Sequence, residues 1–499
     1  MTVDTGPSLM ASGSNKASGT VVLPPSVYER LVHAVRARLP LKTFGYLLSD
    51  GDPWTVTDFV LFESNIRNTG VWKERFERYG QYFVEHDNAG FVATPEEAWQ
   101  VQKMIWARGM VEVGVFHSHI RHPANFSRVD YDLHVQRFPS LWHLIVSVRN
   151  PDLPQLRAFG VSDTGVRELP LVVPPASSDN PALSASDGPR SALPLDVVIR
   201  RARRVLALDQ HGRPVCQSSR SIVTAIEDLV HSRHQEAIDE LLWAGFLRGA
   251  EERYDAHIAG LMAPLDGGSF AMGSAEANAE HFMGEVPVHQ VNLSPFLLAR
   301  VPVTCGLLAL FDADRASAAT SERSRPAVDV TWFDAALFAM WVGCRLPTEA
   351  EWEFACGGGS AGQWCCGEED ALSRYAWYSQ NAGSEAHPVA TRQPNAYGIF
   401  DLHGNVWEWC ADVYDETFYA DAPTTDPVRV PRPAESLDSV HRVCRGGCMH
   451  SFAEMCRTRY RFHEHSQFRA ADLGFRLARS IGGTYGHAGS TRVPGRAAV

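Results

Sequence analysis

Two histidines one residue apart, His117 and His119, are followed by Ser127 and then by Asp130. The apolar residues 113–116 precede them and predict a buried strand that ends at the first histidine. Because side chains alternate along a strand, both imidazoles face the same side. With the Asp130 carboxylate they supply three protein ligands and leave a fourth position open. That is the ligand count of a catalytic zinc (Zn²⁺) site rather than of a structural one.

The segments around these residues alternate between helical and extended patterns. The layout predicts an α/β domain, in which helices cover the faces of a mixed sheet and the metal residues lie at a strand end and in the first turn of a helix. We predict helices at 24–40, with Ser26 as the N-cap and Pro40 as the stop, at 94–108 with Thr94 as the cap, and from Ser127 onward. We predict strands at 44–48, 55–62, 141–148 and 155–161.

The composition is that of a globular protein, with 45% hydrophobic and 21% charged residues over 499 positions. This length predicts two or three domains. The formal charge of −12 disfavours a nucleic-acid partner, and the absence of any run of 18 apolar residues predicts no membrane span. Residues 1–21 are rich in Ser and Gly and lack an apolar signal-peptide core. We therefore expect a disordered leader and a cytoplasmic protein.

The histidine motif resembles the signature of the JAMM (MPN⁺) metalloprotease domain: His-x-His, seven residues, Ser, two residues, Asp. His117, His119, Ser127 and Asp130 fit it without a gap, and the resemblance covers residues 22–172. It implies a JAMM-like (cytidine-deaminase-like) mixed sheet, with zinc held by the two histidines and the aspartate. It also implies that Ser127 helps to stabilise the oxyanion of a tetrahedral intermediate. Members of the family hydrolyse peptide or isopeptide bonds after ubiquitin-like tails, and some bacterial members trim small sulfur-carrier proteins.

One position departs from that family. Three residues before a glycine of its first strand, the family carries a glutamate that acts as the general base, and here Lys42 precedes Gly45. A charged lysine cannot take that role. Folding of the strand pair about residues 50–53 is expected to place Glu63 beside Lys42, so our hypothesis is that Glu63 is the base or pairs with Lys42. Glu112 is the next candidate. The alternative is that Glu63 is a surface residue and the domain a non-hydrolytic remnant.

The amino-acid composition of the sequence changes after residue 172. A polar, Pro- and Ser-rich linker at 173–195 leads to a short helical segment at 196–262. A loop-rich domain dense in Gly and Trp follows at 263–480, and a disordered tail is expected at 481–499. Nine of the ten cysteines lie in the loop-rich domain, between Cys305 and Cys456. In a cytoplasmic protein such a cluster indicates thiol or metal chemistry, or simply buried apolar thiols.

Within this domain, Asp401 to Glu408 place two carboxylates and several carbonyls in one Gly-containing loop, an oxygen set compatible with calcium. The phrases at 404–409 and 474–476 resemble the formylglycine-generating enzyme (sulfatase-modifying factor) family, across essentially all of residues 264–480. The resemblance implies an α+β fold related to C-type lectins. It also implies a structural Ca²⁺ held by Asp401, Glu408 and the carbonyls of Gly404 and Val406.

The catalytic phrase differs from that family, whose two cysteines five positions apart bind copper(I) and oxidise a substrate cysteine with O₂. Here the second falls on Cys456, the first falls on Ser451, and Cys448 stands where the family has a serine. The Cys448–Cys456 thiol pair is still a soft site for Cu⁺. Three activities stay open for the domain: formylglycine formation, a changed oxidation at Cu⁺ or Fe²⁺, and calcium-stabilised binding.

Two function classes follow. In the first, the protein is a zinc-dependent hydrolase that cleaves a peptide or isopeptide bond at the C-terminal tail of a ubiquitin-like or sulfur-carrier protein, in sulfur-related specialised metabolism. Its C-terminal domain then binds the substrate or carries out a linked step. In the second, the C-terminal domain is a copper- or iron-dependent oxygenase and the JAMM-like domain docks a carrier protein. The combination of domains is an association and does not by itself establish chemistry.

Overall fold

The computed structural model describes residues 19–86, 89–162, 165–174, 249–275, 283–312, 322–432, 435 and 440–481. Two compact units are formed, one by the described residues up to 174 and one by residues 249–275 and 284–481. The linker and most of the helical segment predicted between 173 and 262 lie outside the described residues, as do nearly all of the predicted leader and tail. No helix in the described part of the chain is long and apolar enough to cross a membrane.

A six-stranded mixed sheet is the centre of the first unit. Its strands and the two short strands beside it are β1 (Val21–Val22), β2 (Phe44–Ser49), β3 (Asp58–Leu61), β4 (Val111–His119), β5 (Trp142–Ser147), β6 (Gln155–Ser162), β7 (Gly165–Leu169) and β8 (Leu171–Val172). The sheet order is β3-β2-β4-β5-β6-β7, in which β4 and β5 are parallel and the other pairs antiparallel. The predicted mixed sheet is confirmed.

Helices cover both faces of this sheet, as the sequence predicts. They are α1 (Pro25–Ala37), α2 (Gly70–Glu77), α3 (Gln81–Glu85), α4 (Pro95–Ala107) and α5 (Arg128–Arg137). On one face, Leu31 of α1 packs with Phe116 of β4 in a shared core. On the other face, Val101 and Ile105 of α4 pack with Phe44 of β2. Because both faces of the sheet are covered, β4 is buried continuously from Val113 to His119, and its first four buried residues form the apolar run 113–116.

Three boundaries bear on the sequence predictions. Thr94 caps α4 as predicted, since its hydroxyl accepts from the Glu97 N–H. Helix α1 begins at Pro25 rather than after a Ser26 cap, because proline suits the first helical position. The returning strand β3 is shorter than the predicted 55–62. The Val56 N–H donates to the Val22 carbonyl, so this part of the chain pairs with β1 instead.

The second unit consists of short elements joined by loops, in agreement with the predicted loop-rich α+β texture. Its strands are β9 (Met262–Leu265), β10 (Gly268–Met272), β11 (His289–Leu293), β12 (Phe296–Ala299), β13 (Trp407–Val413), β14 (His441–Arg445), β15 (Phe462–His465), β16 (Leu473–Phe475) and β17 (Ala478–Ser480). Its α-helices are α6 (Ala250–His257), α7 (Cys305–Leu308), α8 (Trp332–Trp341), α9 (Glu349–Gly357) and α10 (Phe418–Asp421). The largest sheet has the order β15-β14-β13-β16.

Buried aromatic residues and buried ion pairs hold the second unit together. Trp352, Trp407 and Trp409 are fully buried. Thr348 starts α9 with a capping box, as the sequence predicts for this acidic first turn. Arg461 binds both oxygens of Glu349, at 2.7 and 2.8 Å. A loop-rich unit is therefore fixed by specific polar pairs inside its core as well as by apolar packing.

Candidate functional site

His117, His119 and Asp130 converge at the end of β4 and the start of α5. The Nε2 atoms of the two histidines lie 2.9 Å apart. Asp130 Oδ1 lies 3.3 Å from His117 Nε2, and Asp130 Oδ2 lies 3.9 Å from His119 Nε2. All three side chains are buried, and one ligand atom from each lies within 4.8 Å of the others. In the described part of the chain, this is the cluster whose geometry could hold a metal ion.

A helix cap positions the carboxylate of this cluster. Ser127 is the N-cap of α5 and forms a capping box with Asp130: the Asp130 N–H donates to Ser127 Oγ, and the Ser127 N–H donates to Asp130 Oδ2. The Ser127 hydroxyl also donates to Asp130 Oδ2, at 2.7 Å. The serine proton is therefore directed at the carboxylate, and Ser127 orients Asp130. Its role as an oxyanion donor stays a prediction.

The donor set fits zinc. Four ligands at about 2.0–2.1 Å in a tetrahedron lie about 3.3 Å from one another. The His117–His119 separation of 2.9 Å and the 3.3 Å between His117 Nε2 and Asp130 Oδ1 are close to that value, and the other Asp130 oxygen lies 3.9 Å from His119 Nε2. His119 Nδ1 lies 2.6 Å from the Pro123 carbonyl, which only accepts, so Nδ1 carries the proton and Nε2 presents a lone pair. Burial, with a contribution from Lys42, lowers the pKa of His119 to about 4 and that of His117 well below its ordinary value. Both rings are therefore neutral, as metal ligands must be.

Lys42 belongs to the same site. β2 and β4 pair Phe44 with His117, and the Ser118 N–H donates to the Thr43 carbonyl, so continuing the register places Lys42 opposite His119 on the metal face. Its ammonium lies 5.5 Å from the centre of the Phe91 ring, which stacks on His117. Burial lowers the pKa of Lys42, while the nearby Asp130 carboxylate raises it.

Glu63 is not beside Lys42, and this expectation is wrong. β3 pairs Gly45 with Leu61 and the Phe62 N–H donates to the Phe44 carbonyl, so the register places Glu63 next to Thr43, on the face opposite Lys42. A shift of one residue moves a side chain to the other face of a strand. The Glu63 side chain is 77% exposed and pairs with Arg38 instead. Its backbone N–H donates to Glu97 at the start of α4.

Glu112, the other carboxylate considered as a base, is also far from the metal cluster. It precedes His117 by five residues on β4. At about 3.3 Å per residue this corresponds to roughly 16 Å. Neither glutamate considered from the sequence therefore reaches the metal ligands.

The predicted calcium loop is buried, but one of its ligands is engaged elsewhere. Both oxygens of Glu408 bind Arg476, at 2.5 and 2.6 Å, and one also accepts from Trp352 Nε1. A guanidinium paired in this way balances the charge of the carboxylate, and the role of Glu408 as a calcium ligand stays a prediction. Asp401 accepts from the Ala390 N–H, and burial raises its pKa to about 6. The carbonyls of Gly404 and Val406 stay predictions as calcium ligands.

The two cysteines considered for copper are both buried. Cys448 Sγ lies 3.4 Å from Asp472 Oδ2 and 3.5 Å from Ser451 Oγ. Burial, and then the neighbouring Cys448, raise the pKa of Cys456 well above its ordinary value, which favours the thiol over the thiolate that binds metals. Binding of Cu⁺ or Fe²⁺ by this pair stays a prediction.

No residue pattern in the sequence assigns His134 and His143 to the site. His143 Nε2 lies 2.7 Å from His117 Nδ1, because the parallel pairing of β4 and β5 places the two strands side by side. His134 of α5 in turn contacts His143. No local spacing signals these contacts, since they depend on how β5 and α5 pack against β4.

Comparison with known proteins identifies the second unit. Residues 255–481 match the family described as "Sulfatase-modifying factor enzyme 1-like domain". The formylglycine-generating enzyme of Streptomyces coelicolor is 32% identical in an alignment of 300 positions, and the match covers 45% of this chain and 90% of that protein. The serine/threonine-protein kinase pkn1 of Chlamydia pneumoniae is 35% identical in an alignment of 246 positions. That match covers 44% of this chain, but the chain spans only 38% of the length of that protein.

A solved JAB1/MPN domain protein from Archaeoglobus fulgidus is 15% identical, with a TM-score of 0.19, and the match covers 30% of this chain and 99% of that one. At that TM-score the similarity carries no argument about the first unit. The family of the second unit rests on the sequence match, which extends over nearly the whole of a relative more than 30% identical. The chain therefore belongs, through residues 255–481, to the sulfatase-modifying factor family.

Proposed function

We propose that the first unit is a zinc-dependent hydrolase of the JAMM type. It would cleave a peptide or isopeptide bond at the C-terminal tail of a ubiquitin-like or sulfur-carrier protein. The observation that carries the proposal is the convergence of His117 Nε2, His119 Nε2 and an Asp130 oxygen within 4.8 Å, in a buried site formed by residues with the JAMM spacing. Three protein ligands with an open fourth position are what zinc hydrolases use.

When bound, zinc supplies Lewis acidity, which polarises a carbonyl and lowers the pKa of water. Other residues of the chain orient the side chains that would bind the zinc. Asp130 is held by Ser127, and His119 is held by the Pro123 carbonyl. Lys42 places an amine on the metal face, where the related family carries its glutamate base. These contacts support metal binding more directly than they support any particular proton transfer.

The second unit would bind the substrate or act on the released product. Its place in the sulfatase-modifying factor family supports a protein or peptide as the partner, because its relative in Streptomyces coelicolor is named a formylglycine-generating enzyme. A role in sulfur-related specialised metabolism is part of the same proposal, by association of the two domains.

Metal analysis of the full-length protein tests the proposal. We expect about one zinc per chain in the wild type and none in His117→Ala/His119→Ala, because two of three ligands are lost. His33→Ala is the matched control, since His33 is an exposed histidine of α1 in the same unit. Zinc in both the wild type and the double variant, or in neither, contradicts the proposed site.

Hydrolysis is measured separately. Ubiquitin-like and sulfur-carrier proteins with C-terminal extensions are incubated with the zinc-loaded protein, and the masses of the products are measured by mass spectrometry. Cleavage at the tail that is lost in the double variant supports the hydrolase. Zinc binding without cleavage of any tail contradicts the hydrolase while leaving the metal site intact.

A further inference from the structure

A row of buried imidazoles leads away from the metal ligands. His117 Nδ1 lies 2.7 Å from His143 Nε2, and His143 Nδ1 lies 3.0 Å from His134 Nδ1. His134 Nε2 lies 3.0 Å from the Leu141 carbonyl. The three rings come from β4, β5 and α5, and each is at most 1% exposed. We call these three histidines the imidazole row.

The protons of the imidazole row can be assigned from its far end. A carbonyl oxygen only accepts, so His134 Nε2 carries a proton and donates to Leu141. In a neutral ring His134 Nδ1 then accepts, and the proton between it and His143 belongs to His143 Nδ1. By the same step His143 Nε2 accepts, so His117 Nδ1 donates. The rings are neutral because His134 and His143 are buried, and burial disfavours the charged form of an imidazole.

The assignment leaves His117 Nε2 without a proton. His119 Nε2, 2.9 Å away, also presents a lone pair, because its Nδ1 donates to Pro123. Asp130 adds a carboxylate. The two imidazole lone pairs then face Asp130 Oδ1, the carboxylate oxygen that Ser127 does not bind, and no ring proton lies between them. Buried acceptors without a donor are costly, and a cation between them removes that cost.

We propose that His143 and His134 are positioning residues of the metal site, which hold His117 in the tautomer whose Nε2 is free to bind the ion. The inference rests on the proposed metal-binding function of the first unit and adds two residues to it. Partners that fix the ring of a metal-binding histidine typically change metal affinity by 10–100-fold when they are removed.

Zinc affinity of the full-length protein tests the proposal, measured by competition with a chromophoric chelator. His143→Leu removes the acceptor for His117 Nδ1 and is expected to weaken zinc binding by about 10–100-fold. His143→Gln places an amide oxygen near the position of Nε2 and is expected to restore most of the affinity. His134→Leu, one step further from the metal, is expected to cause a smaller loss in the same direction.

Packing is controlled by Phe126→Leu. Phe126 contacts the His143 ring edge-on, with ring centres 4.9 Å apart, but takes no part in the hydrogen bonds of the imidazole row. We expect this variant to lower the melting temperature of the metal-free protein without changing zinc affinity. A loss of affinity in Phe126→Leu equal to that in His143→Leu shows that packing alone is responsible and overturns the proposal.

The tautomer itself is read from ¹⁵N chemical shifts of the histidine rings in metal-free wild-type protein, so the test does not depend on whether a variant folds. The proposal expects a proton on His117 Nδ1 and none on its Nε2. A proton on Nε2 overturns it. If the wild type binds zinc and His143→Leu binds it equally well, the positioning role fails and the hydrolase proposal stands. A wild type without zinc affinity overturns both.

Discussion

Replacing Glu408 by glutamine tests whether this carboxylate serves an ion pair or a calcium ion. Glu408 and Arg476 are both at most 1% exposed. The guanidinium binds the carboxylate through two nitrogens and also donates to the carbonyls of Ala299 and Phe400. In Glu408→Gln the amide cannot accept from both nitrogens, so the charge of Arg476 stays buried without a counter-charge.

Removal of one partner of a buried ion pair typically costs about 3–5 kcal/mol. For a unit of this size each kcal/mol lowers the melting temperature by about 2–4 °C, so we expect a fall of roughly 6–20 °C. Glu251→Gln is the matched control, because Glu251 pairs with Arg479 at 2.7 Å but is 57% exposed. That pair should contribute about 0.2–1 kcal/mol.

Differential scanning calorimetry with and without calcium is the assay. We expect the loss in Glu408→Gln to be the same in both buffers, and Glu408→Gln/Arg476→Met to lose less than the single variant, since no charge is then left unpaired. The reasoning is refuted if Glu408→Gln is no more costly than Glu251→Gln. It is also refuted if calcium stabilises the wild type and this stabilisation disappears in Glu408→Gln.

Two further predictions concern the predicted calcium loop and the metal cluster of the first unit. Asp401→Asn should remove a pH dependence of stability. The folded pKa of about 6 lies above the ordinary 3.8, so the wild type loses about 2 kcal/mol of stability as the pH rises from 4 to 6, and the variant does not. Urea unfolding across that range measures the difference. An unchanged slope in Asp401→Asn assigns that dependence to another group. Ser127→Ala should lower stability by about 1 kcal/mol through loss of the α5 cap, and it should also weaken zinc binding. Thr94→Ala, which removes the α4 cap, should lower stability alone. Calorimetry measures stability, and competition with a chelator measures zinc affinity. Equal zinc affinity in both variants contradicts the orienting role of Ser127.

The metal ligands could be predicted from the sequence because their geometry is local. His117 and His119 share a face through strand alternation, and Asp130 follows Ser127 at the third position of a helix whose cap the sequence specifies. The apolar pattern likewise predicts α1, α4, β2 and β5, whereas it does not predict α2, α3 and β7. Each of these features depends on at most a few neighbouring residues.

Contacts between residues far apart in the chain could not be predicted from the sequence. The Glu63 hypothesis failed by a single step of register, because the register of a hairpin depends on the length and geometry of its turn, and the sequence does not specify these for the irregular connection between β2 and β3. Glu408 meets Arg476 across 68 positions, through the parallel pairing of β13 with β16. The acidic residues of the loop predict a calcium site, and local sequence does not show that one of them pairs with an arginine.

Lys42 shows that metal binding and hydrolysis, which the sequence motif implies together, depend on different residues. The ligands lie on β4 and α5, whereas the position of the related family's base lies on β2, so a change there leaves the ligand geometry intact. The change is electrostatic instead. Lys42 opposes positive charge on His117 and His119, and Asp130 offsets part of that effect at His119. The Lys42 ammonium also repels a metal cation bound by these ligands, and the bound cation in turn lowers the pKa of Lys42 and favours loss of its proton. Metal affinity and the protonation of Lys42 are therefore linked, and metal binding by this unit does not by itself imply hydrolysis.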